Sequence, residues 1–444
     1  MPASPLDSAM YGDLFADREL ARLFSDTAEV RAMLLVEGAL AKVQGAAGLI
    51  PELSATFIHR ASMELQVDPS GLAAGVAKSA VPVPALVAAF RKAMEAPEHA
   101  PYVHWGATSQ DIMDTALVLR LRQVVALLEE RIIATLAALG AQAEAHAALP
   151  MAGRTYGQLA TPTSYGALLA DWGQPLLRHL DRLGELKPRL LVVSLSGAAG
   201  NLSAMDGGPE IRTALASALG LNDPAASWHN QRDTIGEFAG WLTGLATSLG
   251  KIGEDLILLT HSGVGEVTLA SAGGSSTMPQ KQNPVLPSVL VALARQAVAL
   301  NAAVQGAGLH RQQRDGAAWF TEWLSLPQLV MATGRAAQIA AQLAEGTQPN
   351  AQAMARGIDP DGLGLIAAEA LSFALARSMP RPDAQAAVKD LCAQAQAEGK
   401  ALSALAQAAY PDANLSVAPA DLLGTAPDQA RAFAKATRAL KPLS

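Results

Sequence analysis

Gly274-Ser-Ser-Thr-Met-Pro-Gln-Lys-Gln-Asn-Pro284 gathers three hydroxyls, a lysine and an asparagine in one short segment ahead of a long apolar pattern. A serine hydroxyl is far too weak an acid to exchange a proton with carbon unaided. Lys281 and the N-terminus of the following helix supply the positive charge and oriented N–H groups that lower the cost of ionising Ser275 or of holding an anion beside it. Asn283 and Pro284 read as that helix's N-cap and first position. Ala272-Gly-Gly-Ser275 is flexible enough to close over a ligand. An ordinary capped loop explains each residue singly, but not the joint spacing of Ser275, Lys281, Asn283 and Pro284.

Two further segments share this character. His104-Trp-Gly-Ala-Thr-Ser-Gln-Asp111 sets a histidine one turn ahead of Thr108, which with Asp111 has capping-box spacing. His104 is placed to donate to a carboxylate or to shuttle a proton. In Gly153-Arg-Thr-Tyr-Gly-Gln-Leu-Ala-Thr-Pro162, Thr161-Pro162 reads as another cap and first helical position. Three helix N-termini suit a polyanionic small molecule. Arg232, Arg311 and Arg314 flank long helices, where each could clamp a carboxylate or merely solvate a surface. Ser196-Gly-Ala-Ala-Gly-Asn201 reads as a turn, with an anion cradle as the alternative.

Long helices must position these segments. Apolar residues recur at helical spacing from Asp17 to Leu49, and 110–148 contains no proline and one glycine. Similar tracts span 163–186, 229–267, 284–307 and 318–344. The expected fold is all-α, a central long-helix bundle (106–347) between an N-terminal (1–105) and a small C-terminal helical domain (348–444). Leu190–Leu195 is the one expected strand. The apolar faces exceed what one chain can cover, so oligomerisation is expected.

Composition removes other classes. The 444 residues are 50% apolar and only 4% aromatic, and 33 Lys+Arg against 40 Asp+Glu give a net charge of -7. No basic run suggests nucleic acid, and no apolar stretch approaching about 20 residues is read, so no membrane partner is expected. The N-terminal segment lacks the pattern of an export signal, and the single cysteine, Cys392, excludes disulfide scaffolds, so a cytoplasmic location is expected. The eight histidines show no i, i+4 pairing, and no dinucleotide or P-loop fingerprint appears. No metal or other cofactor is expected, which leaves acid/base and electrostatic chemistry.

The loop resembles the GSSxMPxKxNP signature of the fumarase/aspartase superfamily, and the other two segments are similar to that family's first and second conserved regions, in the same order. The resemblance implies a large helical core and a homotetramer in which the three regions of one site come from three subunits. It implies catalytic roles for Ser275, Lys281 and His104. It implies substrate contacts from Thr108, Ser109, Gln110, Arg154, Thr155, Tyr156, Gln158, Arg232, Ser276, Asn283 and Arg314.

The departures matter as much. The superfamily's lyases usually pair a histidine after the second-region threonine with a glutamate seven residues beyond the signature lysine. Here those positions hold Tyr156 and Ser288. Loss of both resembles the 3-carboxymuconate cycloisomerase branch, as do Phe24-Ser-Asp26, Trp228-His-Asn-Gln-Arg-Asp233, Gly265-Glu-Val267 and Trp319-Phe-Thr-Glu-Trp323. That branch implies closure of an unsaturated tricarboxylate to a lactone in aromatic-acid breakdown, with Ser275 as the acid. The competing readings are a fumarate-releasing lyase such as adenylosuccinate lyase, a cycloisomerase of sulfonated muconate, and a non-enzymatic protein of the lens-crystallin kind.

Overall fold

The computed structural model describes residues 4–270, 273, 274, 278, 281–411 and 418–440. The described chain is predominantly helical. By compactness it forms two units, one of Met1–Glu129, His179–Thr247 and Ala292–Ala336, the other of Glu130–Arg178, Ser248–Val291 and Ala337–Ser444. The long helices α3 (Ser109–Ala145), α4 (Tyr165–Leu190), α5 (Asp233–Leu259), α6 (Val285–Ala307) and α7 (Gly316–Gly346) each pass from one unit into the other along the chain. The expected boundaries near 105 and 347 are therefore breaks between helices and do not divide the chain as these units do.

In the first unit, the periodicity expected from Asp17 to Leu49 is interrupted at Phe24-Ser25. A short helix, Arg18–Leu23, precedes α1 (Asp26–Ala46), whose cap is the Ser25 hydroxyl accepting from Ala28 N at 3.3 Å. α1 packs on α2 (Glu52–Glu64), and two glycines one heptad apart set their approach. A Cβ at Gly38 would lie 1.8 Å from Ser62 Oγ, and one at Gly45 would lie 2.2 Å from Ala55 Cβ. Only a residue without a side chain permits this contact.

α3 has the length its sequence announced, 37 residues, and Ile112, Leu121, Leu128, Leu136 and Leu139 are buried along it. Thr108 stands at the cap position as expected, and Asp111 Oδ2 accepts from its amide at 3.0 Å, the return half of a capping box.

In the second unit the Gly153–Pro162 segment departs from expectation. It lies in an antiparallel hairpin, β1 (Pro150–Thr155) and β2 (Gln158–Ser164), with a register irregularity between Ala152 and Arg154. Thr155 pairs with Gln158, which leaves Tyr156-Gly157 as a two-residue turn with φ of 54° and 74°. Both values are left-handed, as a type I′ turn requires. Thr161-Pro162 therefore caps nothing. The cap of α4 is Ser164, whose hydroxyl accepts from Ala167 N at 3.1 Å.

Leu190–Leu195 is also not a strand. α4 runs to Leu190, and Val192 makes an isolated bridge to Asn222. Another short pair, β3 (Val267–Leu269) with β4 (Thr347–Pro349), lies in the second unit. So does the small C-terminal cluster, where Leu371, Leu375, Val388, Leu391 and Leu402 form a core.

α6 starts one residue later than expected. Pro284 O accepts from Ser288 N at 3.1 Å, so Pro284 occupies the cap position and Asn283 precedes it. By length and composition α6 is also apolar enough to cross a membrane, although Arg295, Gln296 and Asn301 interrupt it, and it is only partly buried within the chain.

The α1–α2 contact is open to direct test. Gly45→Ala should lower the unfolding midpoint, because overpacking costs about 1–3 kcal/mol while the helix gains only about 1. Adding Ala55→Gly should recover most of the loss. A Gly45→Ala protein as stable as the parent would show that the helices do not approach this closely.

Candidate active site

In the first unit the expected residues meet around two buried carboxylates. Asp111 is fully buried and accepts four hydrogen bonds: from Thr108 N (3.0 Å), Ser196 N (2.7 Å), Gly197 N (3.0 Å) and His229 Nε2 (2.8 Å). The 196–201 turn is thus an anion cradle, and the anion it holds is the protein's own. Gln110, also buried, donates from Nε2 to His229 O (2.9 Å) and to Asp114 Oδ2 (3.1 Å), and its Oε1 accepts from Arg314 Nε at 2.7 Å. Thr108, Ser109 and His104 remain half-buried at this end of α3, and Arg314 is exposed.

Arg232, expected to contact substrate, is paired with two carboxylates of its own chain. It is 3% exposed, donates to both oxygens of Asp114 (2.8 and 3.2 Å) and of Glu322 (2.9 and 2.6 Å), and lies 4.6 Å from the Trp228 ring centre. Burial opposes its charge, but the two carboxylates outweigh that and raise its pKa above the ordinary arginine value. The carboxylates it clamps belong to the chain.

His104 occupies a left-handed backbone position, φ 62°, and its Nδ1 lies 2.7 Å from Glu37 Oε1 on α1. Burial works against a charged ring. The Glu37 hydrogen bond, the Glu37 charge and that of Asp111 outweigh this and the opposing Arg91, so the pKa is raised.

In the second unit the hairpin carries Arg154, Thr155, Tyr156 and Gln158. Tyr156 is wholly exposed at the turn, flanked by exposed Thr155 and Gln158. Arg154 makes a bidentate pair with buried Glu266 (2.9 and 2.6 Å), and these hydrogen bonds raise its pKa. A Cβ at Gly357 would lie 2.4 Å from Glu266 Oε1, so glycine there makes room for the pair. Lys281 is exposed, and Asn283 forms an isolated bridge with Gly273 (backbone N···O 2.8 and 3.0 Å). Ser275 and Ser276 lie outside the described residues. Ser288, where lyases place a glutamate, donates its hydroxyl to Pro284 O at 2.8 Å.

Four partners escaped the sequence reading, Glu37, Asp114, Glu266 and Glu322, and Asp111 was expected only as the capping partner of Thr108. Signals existed for some. Glu37 is an acid inside the apolar run Met33-Leu-Leu-Val-Glu-Gly-Ala-Leu40, and Glu266 and Glu322 fall inside stretches already singled out.

Among the described residues no cluster of three or more His, Cys, Asp or Glu side chains is disposed to hold a metal ion. In the first unit this geometry offers hydrogen-bond donors and an imidazole whose pKa is raised, groups suited to holding a carboxylate.

Residues 31–299 match the model of a family described as Lyase. With this match and the relatives that follow, the chain belongs to the fumarase/aspartase superfamily of lyases. Within it, the chain is similar to named 3-carboxy-cis,cis-muconate cycloisomerases. That of Pseudomonas aeruginosa is 40% identical over 98% of this chain and 95% of its own. That of Acinetobacter baylyi is 37% identical over 89% of each. The crystal structure of the 3-carboxy-cis,cis-muconate lactonizing enzyme from Pseudomonas putida superposes with a TM-score of 0.90 at 35% identity, covering 97% of this chain and 99% of that one.

The Arg232 geometry separates a structural from a substrate-binding role. Arg232→Met should cost about 3–5 kcal/mol of stability by stranding two buried carboxylates, and Arg232→Lys should not restore it, because lysine cannot bridge both bidentately. An unchanged unfolding midpoint with a raised KM would return Arg232 to the substrate.

Proposed function

We propose that this chain is a cytoplasmic 3-carboxy-cis,cis-muconate cycloisomerase that closes an acyclic unsaturated tricarboxylate to a carboxymuconolactone. The observation that carries the reading is 35–40% identity over almost the whole chain to proteins named for that reaction. The loss of the lyase pair at Tyr156 and Ser288 supports it.

Ring closure joins a substrate carboxylate oxygen to one carbon of the double bond while a proton goes to the neighbouring carbon. The nucleophile belongs to the substrate and nothing leaves, so no activated water or amine is needed. Charge develops as an enolate-like carbanion beside another carboxylate, and donors must face it. Lys281, Asn283 and the α6 N-terminus are assigned that duty, with Ser275 delivering the proton. Thr108, Ser109 and Arg314 hold one carboxylate end, with buried Gln110 fixing Arg314 from behind, and the Thr155–Gln158 hairpin and Ser276 another. Tyr156 supplies shape.

In this reading the active enzyme is a homotetramer with sites shared between subunits. The exposed Tyr156 and the incompletely buried α6 are surfaces that such an assembly would cover.

Purified protein mixed with 3-carboxy-cis,cis-muconate should bleach the diene's ultraviolet absorbance without added metal or nucleotide. Cleavage of adenylosuccinate with the muconate untouched would overturn the assignment. Ser275→Ala should lower kcat/KM by about 10²-fold or more, while Tyr156→Phe retains most activity. An equal loss in both would make the tyrosine the acid. Light scattering should give four times the chain mass, and inactive Ser275 and His104 variants mixed after mild dissociation should recover part of the activity. A fully active monomer would refute shared sites.

A further inference from the structure

α1 presents two polar residues one heptad apart, Glu37 and Gln44, both buried. They grip consecutive residues of the turn ahead of α3. Glu37 Oε1 lies 2.7 Å from His104 Nδ1, and Gln44 Nε2 donates to Trp105 O at 2.7 Å. On the other side Arg91, in the helix Val83–Ala93, donates to Val103 O at 2.8 Å. The turn is held from both sides, which allows His104 to keep a left-handed conformation that is unfavourable for a residue with a Cβ.

Glu37 Oε2 is buried and has no hydrogen-bond partner among the described residues. An ionised carboxylate in that position needs a counter-ion, and the imidazole at 2.7 Å is the one that touches it. With Nδ1 committed to Glu37, Nε2 is the ring nitrogen open to a ligand. Charge matters there because Asp111 already occupies the first turn of α3 and offsets the helix dipole. An anion arriving at Thr108 and Ser109 meets Asp111 unless a cation stands beside it.

We propose that Glu37, with Gln44, is the positioning residue that holds His104 as an imidazolium and turns its Nε2 toward a carboxylate of the ligand at the start of α3. This rests on the polycarboxylate reading above and deepens it. The groups facing His104 are Glu37 from α1 and Asp111 from α3, which favour the cation, and Arg91, which opposes it. Because the cation is favoured in the folded protein, its contribution to both binding and stability is complete below the ordinary histidine value and is lost as pH rises through the raised one.

Two measurements test this without relying on turnover. In protein labelled with ¹³C at histidine Cε1, with His104→Gln used to assign the signal, His104 should titrate above the ordinary histidine value of about 6.5. In Glu37→Gln it should titrate lower. Calorimetric titration with tricarballylate, a saturated tricarboxylate, should show affinity falling as pH rises through the His104 transition, and the fall should move to lower pH in Glu37→Gln, with binding at neutral pH about tenfold weaker. Should Glu37→Gln fail to fold, the wild-type titration alone decides. His104 titrating at or below the ordinary value, or tricarballylate affinity that ignores its transition, would overturn the proposal. If these titrations behave as expected while the muconate is not turned over, the pairing stands and the assigned reaction fails. If the muconate is turned over but His104 titrates normally, the reaction stands and the pairing fails.

Discussion

Burial of the Asp111 carboxylate constrains the rest of the first unit. A carboxylate withdrawn from water costs several kcal/mol unless its lone pairs are filled. Four donors fill them here: the Thr108 amide, the 196–197 amides and His229. Each donor fixes a different piece of chain. The start of α3, the turn after α4 and the segment ahead of α5 are tied to one pair of oxygens. Gln110 then carries the network to Asp114, Arg232 and Glu322 on one side and to Arg314 on the other. The outer ends of this network, half-buried Thr108 and exposed Arg314, are held in place by what is buried behind them.

Much of this was legible from sequence because the long helices have strong periodicity and few breakers. α3 and α5 to α7 lie where apolar spacing and proline positions put them, with most ends within a few residues, although α5 stops at Leu259, well short of the expected 267. The hairpin was not legible. Its strands are short, carry a register irregularity, and end in Thr161-Pro162, which imitates a helix cap; the turn signal Tyr156-Gly157 was overshadowed by the motif containing it. Leu190–Leu195 misled for the opposite reason, since a short apolar run satisfies a buried helix end as well as a strand.

Motifs named the candidate residues of the first unit, but they could not name their partners. Spacing can show that an arginine is near chemistry, yet it cannot show that Asp114 and Glu322, 118 and 90 residues away in sequence, have claimed Arg232. Arg154 and Glu266, 112 residues apart, repeat the lesson. In both cases a residue expected to meet substrate is paired with a carboxylate of its own chain. Glu37 is the reverse case, an acid whose placement inside an apolar helix had no local explanation until the fold brought His104 to it.

The central claim is that a substrate carboxylate closes onto a double bond while an exchangeable group of the protein delivers a proton to carbon. Its most direct measurement is turnover of 3-carboxy-cis,cis-muconate in D₂O with the product followed by NMR. The account expects a lactone carrying a single deuterium on the carbon next to the new C–O bond, and no fumarate. A lactone without deuterium, or release of fumarate in place of ring closure, would contradict it.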